Sequence, residues 1–198
     1  MMNVFDYFFE HTSNLEKNLV LGNRETITYN ALYSDCLKLS VQIKNKTGQA
    51  RNIIILSENS VFFITAYLAV MKSGNVCVPL NPAIEEATLI EIAERTDAEI
   101  AFVSKRYARK FENIPVRVVD PDEMPQWISE TPENADDDTD FDDDRLAEII
   151  FTSGSTGEQK GVMLTHKNLI ANTNSILKYL KLDRNDTILI VMPFYYCY

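Results

Sequence analysis

Short apolar runs alternate with amphipathic stretches along most of this chain, and that alternation leaves few folds open. The run Asn52-Ile-Ile-Ile-Leu56 sets the type. It has no polar face to turn to water, so it fits a strand covered on both sides. Strands of that kind belong to parallel sheets whose crossovers are helices. The same reading predicts strands at 76–80, 99–103, 116–119, 146–151, 162–165 and 187–192. Helices are predicted at 59–73, closed by Gly74, and at 84–96, with Leu89, Ile92 and Ala93 turned inward. Two more are predicted at 105–111 and about 167–181. Ahead of the first strand, Thr28 caps a helix whose stripe of Leu32, Cys36, Leu39 and Ile43 ends at Gly48. A Pro- and Asp-rich loop is expected over 120–144. The fold class is therefore α/β: a doubly wound, mostly parallel sheet with helices on both faces.

A chain of 198 residues with 45% apolar and 24% charged content can bury a substantial core. No apolar run approaches bilayer length, and Met1-Met-Asn-Val-Phe-Asp6 lacks the basic start of a secretion signal. Cys36, Cys77 and Cys197 are far apart and odd in number. They fit core packing in a reducing compartment better than disulfides or zinc, and cytoplasmic localisation is expected. The net charge of −10 argues against nucleic acid as a partner. Seven aspartates between Asp136 and Asp144 carry most of that excess. Read as a calcium loop from Asp136, the segment puts Phe141 where glycine is required and Ala147 where the bidentate glutamate belongs. A solvated loop is expected there, and no metal ligands are assigned.

The segment that bears chemistry is Phe151-Thr-Ser-Gly-Ser-Thr-Gly-Glu-Gln-Lys-Gly161. It follows a buried strand with small hydroxyl and glycine residues and then a lysine. Such a loop bares backbone N–H groups, hydroxyls and one cation, a set suited to a polyphosphate. The P-loop pattern fails, because Gln159 precedes Lys160 and Gly161 follows it. A nucleophile elbow fails too, since no Gly-x-Ser-x-Gly occurs. The next helix starts only near His166, so the loop itself must do the gripping. The competing reading is a plain Gly/Ser surface turn. His166 sits at a helix start, where capping or packing is favoured over a general-base role, and His11 has no partner motif. Lys72 and Arg95 sit near helix ends and offset the dipole there.

Thr152-Ser-Gly-Ser-Thr-Gly-Glu-Gln-Lys-Gly161 with Val-Met-Leu-Thr-His166 resembles the AMP-binding signature of the adenylate-forming superfamily. That superfamily includes acyl- and aryl-CoA synthetases and peptide-synthetase adenylation domains. The family usually has proline at the Gln159 position. The segment from Leu68 to Pro82 and Ile27-Thr-Tyr-Asn-Ala-Leu-Tyr33 resemble its upstream motifs. The resemblance implies an enzyme that activates a small carboxylic acid with ATP and Mg²⁺ and passes the acyl group to coenzyme A or a carrier-protein phosphopantetheine. It implies that Thr152, Ser153, Ser155 and Thr156 bond phosphate oxygens, that Gly154 and Gly157 admit close backbone approach, and that Lys160 meets the departing pyrophosphate. Lys160 and Thr156 are the candidate catalytic residues. Tyr195 and Tyr196 fall where the family lines its acyl pocket, and simple aromatic packing is the alternative for both.

The organisation implied is a segment 1–48 at the edge of a second subdomain, an α/β subdomain over 49–182, and the start of the second subdomain over 183–198. The charge-free residues 188–198 need covering, so truncation, self-association through this apolar end and inactivity of the isolated chain are expected. Two further readings stay open. One is a peptide-synthetase-type adenylation domain; the other is a non-catalytic nucleotide-binding or scaffolding protein.

Overall fold

Alternate residues of Asn52–Leu56 enter two different cores: Ile53 and Ile55 on one face, Ile54 and Leu56 on the other. The computed structural model describes residues 2–22, 25–132, 142–153 and 159–196, with Ser153 described by its backbone alone. The chain begins with helix α1 (Val4–Phe9), strands β1 (Asn18–Leu21) and β2 (Thr26–Thr28), and helix α2 (Tyr29–Thr47). Strand β3 (Asn52–Leu56), helix α3 (Val61–Lys72), β4 (Val76–Pro79), α4 (Glu86–Thr96) and β5 (Ile100–Val103) follow. A 3-10 helix (Lys105–Phe111), β6 (Arg117–Val119), α5 (Met124–Ser129), β7 (Leu146–Ser153), β8 (Gln159–Thr165) and α6 (His166–Leu180) complete the order.

The sheet runs β6-β5-β3-β4-β7-β8, parallel except for the antiparallel β7–β8 pair at one edge. Helices cover both faces, as the sequence predicts. Helix α3 packs on the first face and α4 on the second, so the crossovers that follow β3 and β4 leave by opposite sides. Ligand crevices form at such a reversal, beyond the carboxyl ends of the strands.

Thr28 accepts a hydrogen bond from the Ala31 N–H and caps α2, and Gly48 ends it with a φ of 76°. Leu32, Cys36, Leu39 and Ile43 are all fully buried in the core shared with α3. Burying an aliphatic side chain of this size contributes about 2 kcal/mol. Phe5 and Phe9 of α1 join the same core, Phe5 stacked on Tyr33 and Phe9 meeting it edge-on. Phe5 and Phe9 of α1 and the α2 stripe thus share one core with α3. An amphipathic stripe must bury itself against some apolar surface, and α3 supplies one.

At the amino end of the sheet one buried side chain joins several elements. Asn75 accepts from the Arg51 N–H at 2.9 Å and donates to the Gly48 carbonyl at 3.0 Å and to Ser73 Oγ at 2.9 Å. Cys36 and Cys77 are buried thiols, donating to the carbonyls of Thr65 and Tyr67. Cys197 lies outside the described residues.

Three expectations change. The strand predicted at 187–192 does not form: these residues have no ladder partner among the described residues, and Ile188, Leu189, Ile190 and Val191 are exposed. Apolar composition suits a segment to a sheet, but a strand also needs a neighbour for its backbone groups. The loop predicted over 120–144 holds α5, whose Trp127 is buried against Phe102. Lys105–Phe111 coils as a 3-10 helix rather than an α-helix. Among the described residues, no helix is long and apolar enough to cross a membrane.

Candidate active site

Strands β7 and β8 pair as an antiparallel hairpin, and the phosphate-type segment falls between them in sequence. Register is set by Phe151 opposite Gly161, Thr152 opposite Lys160 and Ser153 opposite Gln159. Gly161 is required by close approach: a Cβ there would lie 2.9 Å from Ile149 Cγ2 and 3.4 Å from the Phe151 ring. Gly154, Ser155, Thr156 and Gly157 lie outside the described residues, as does the Ser153 side chain. Thr152 and Lys160 are brought together as cross-strand neighbours, with Lys160 exposed to solvent.

A cavity of about 510 Å³ opens at the carboxyl ends of β4 and β7. Thr152, Phe151 and Gln159 form its hairpin side, and Asn81, Glu85 and Thr88 come from the β4–α4 connection and the first turns of α4. Tyr195 and Tyr196 close it from the C-terminal segment, so three of the candidate residues, Thr152, Tyr195 and Tyr196, share one cavity. Asn81 shapes its own turn, its Oδ1 accepting from the Ala83 N–H at 2.9 Å. The Asn81-Pro82 pair at a strand end marks this turn in the sequence, but nothing in the chain's periodicity points to Glu85 or Thr88.

Arg95 does more than offset a dipole. It donates to Glu91 and to the Gln159 carbonyl, each at 3.0 Å, and lies over the Phe151 ring at 5.8 Å. It therefore holds both stems of the hairpin. Lys72 pairs with Asp6 at 3.2 Å, tying α3 to α1, away from the cavity.

Behind the hairpin lies a buried carboxyl. Glu148 of β7 is 5% exposed, and burial pushes it up from 4.5 to about 7, against the lowering effect of a hydrogen bond from the Tyr67 hydroxyl. His166 moves the other way, from 6.5 to about 4, through burial first and the Arg145 charge second; Asp6 opposes both. Its Nδ1 accepts from the Val4 N–H at 3.2 Å, and Thr165, not His166, caps α6. His166 thus packs and orders the N-terminal segment and does not line the cavity. Among the described residues Asp142, Asp143 and Asp144 bring carboxylates close together, but Asp144 pairs with Lys167 and the group stands in solvent.

The chain matches the family described as AMP-binding enzyme over residues 9–198. A Gibberella zeae protein named nonribosomal peptide synthetase 4 is 37% identical over 157 residues, 75% of this chain and 2% of that protein. The Arabidopsis thaliana protein named 4-coumarate–CoA ligase-like 9 is 31% identical over 158 residues, 75% of this chain and 28% of the relative. This chain thus spans under a third of these curated relatives. Among solved structures, ATP-bound MatB from Rhodopseudomonas palustris superposes with a TM-score of 0.85 at 24% identity, over 98% of this chain and 41% of that one. The inhibitor-bound N-terminal domain of FACL13 from Mycobacterium tuberculosis gives 0.88 at 17%, over 98% and 52%. At those identities the superpositions show a shared fold. With the family matched over nearly its whole length, the chain belongs to the AMP-binding enzymes.

Proposed function

We propose that this chain is the phosphate-gripping part of a ligase that joins a small carboxylic acid to AMP and hands the acyl group to a thiol. The observation that carries this reading is the shared cavity: hairpin residue Thr152 and the Tyr195–Tyr196 pair face one space at the carboxyl end of the sheet. The donors fit a polyphosphate, being hydroxyls and backbone N–H groups beside the exposed cation of Lys160. Thr152, Ser153, Ser155 and Thr156 bond the β- and γ-phosphate oxygens, and Gly154 and Gly157 let the backbone approach. These hydroxyls would sit beside Mg²⁺, which would supply further neutralisation of the phosphate charge. The acid's oxygen attacks the α-phosphorus, the bond to pyrophosphate breaks, and Lys160 offsets the charge on the departing group. Tyr195 and Tyr196 wall the acid's side of the cavity. The thiol of coenzyme A or a carrier-protein phosphopantetheine then attacks the acyl carbon, forming a thioester as the bond to AMP breaks and AMP leaves, with the receiving surface in a second subdomain that begins with residues 183–198. Localisation in the cytoplasm belongs to the same proposal.

A second reading is an amino-acid substrate loaded onto a carrier thiol, and the 37% identity to a protein named as a peptide synthetase favours it. Carboxylate-dependent ATP–pyrophosphate exchange tests both readings, in this chain and in a longer protein containing it, against fatty, aryl and amino acids. Exchange with one class names the substrate. Its absence from a folded, longer protein with every acid sinks the ligase reading.

A further inference from the structure

The Tyr195–Tyr196 wall belongs to a segment with no strand to support it, yet its backbone is fixed. Asn59, more than 130 residues away in sequence, holds it from both sides of Pro193. Its Nδ2 donates to the Met192 carbonyl at 2.8 Å, and its Oδ1 accepts from the Phe194 N–H at 2.8 Å. Pro193 has no N–H to offer, and its carbonyl is taken by the Tyr196 N–H at 3.1 Å, closing a turn. The Asn59 side chain therefore pairs with the 192–194 backbone as a neighbouring strand would. Phe194, aimed by that pairing, packs half-buried against the main core and meets the Phe63 ring at 5.4 Å.

Asn59 itself stands on rigid ground. It precedes Ser60, which caps α3 by accepting from the Phe63 N–H at 3.1 Å. Ser57, two residues earlier and fully buried, is bonded to Ser104 Oγ at 2.7 Å. On its far side lies a second cavity of about 410 Å³, which Asn59 lines together with Pro193 and Tyr195. Tyr195 lines both cavities, together with Asn81 and Ala83 of the β4–α4 connection.

We infer that Asn59 is the positioning residue for the tyrosine wall, and so governs recognition of the carboxylic acid without touching it. This rests on the function proposed above. Asn59→Ala loses both bonds. Asn59→Asp keeps the acceptor for the Phe194 N–H but sets a carboxylate against the Met192 carbonyl, so it is intermediate. Hydrogen exchange on this chain reads the hold directly: the Phe194 amide should exchange at least about ten-fold faster in Asn59→Ala, with amides of β3 and α3 unchanged. In the longer ligase, the KM for the acid should rise about ten-fold with the KM for ATP nearly constant. Equal rises in both KM values, or an unchanged Phe194 amide in Asn59→Ala, overturn the inference. Should the unaltered ligase show no exchange with any acid, the functional reading alone falls, and the amide measurement still decides whether Asn59 positions the wall.

Discussion

Replacing Glu148 by glutamine should make the protein more stable above pH 7 and expose a pH dependence that the native chain conceals. The folded carboxyl titrates at about 7, against the ordinary 4.5 it regains on unfolding. Between those values the folded state keeps a proton that the unfolded state gives up. The group's contribution is therefore complete below 4.5 and lost as pH rises through about 7. At about 1.4 kcal/mol per pH unit the loss is about 3 kcal/mol. Glutamine has no proton to lose and still offers the Tyr67 hydroxyl an acceptor, so at pH 8 the variant should gain stability of that order. His166 runs in the opposite sense. It stays neutral in the fold down to about 4 but binds a proton near 6.5 once unfolded, so its contribution is complete above 6.5 and lost as pH falls toward 4. The two slopes oppose each other between 4.5 and 6.5, and the native chain should look nearly flat there. In Glu148→Gln the histidine slope loses its main opponent and keeps only the smaller one from Asp35, whose carboxyl burial also raises. Stability should therefore fall by up to about 3 kcal/mol from pH 7 to pH 4. Urea unfolding followed through the single, buried Trp127 from pH 4 to 8 measures this. A variant no more stable than the native chain at pH 8 refutes the argument.

Gly161→Ala forces a methyl group to within 2.9 Å of Ile149 Cγ2 and should cost about 1–3 kcal/mol in urea unfolding. Stability equal to the native chain's would show that β7 and β8 can separate freely. Lys160→Ala in the longer ligase should slow carboxylate-dependent pyrophosphate exchange far more than it weakens binding of the acid; equal losses in both would place the lysine elsewhere in the cycle.

The fold was legible because its signals are local or nearly so. Thr28, Gly48 and the stripe between them specify α2 without reference to the rest of the chain, and Asn52–Leu56 declares a two-faced burial that only a covered sheet provides. What escaped depends on distant partners. The 187–192 segment has strand composition but no ladder partner among the described residues, and α5 owes its place to Trp127 finding Phe102. At the site, Thr152 and the tyrosines came from motif, and the shared cavity brings them together. The shifts of Glu148 and His166, the grip of Arg95 and the reach of Asn59 arise from burial and contacts that no window of sequence contains.

Asn75 gives the molecule two unlike ends. Its bonds to Arg51, Gly48 and Ser73 knot the roots of β3 and β4 to the ends of α2 and α3, as far from the cavity as the strands allow. The opposite ends of β3 and β4 face the two cavities and the turn that Asn81 shapes, with Tyr195 beside them. Divergence can therefore be divided: residues around the cavity can be exchanged while the knot continues to enforce the architecture. A lineage built this way changes what it recognises without having to solve its folding again.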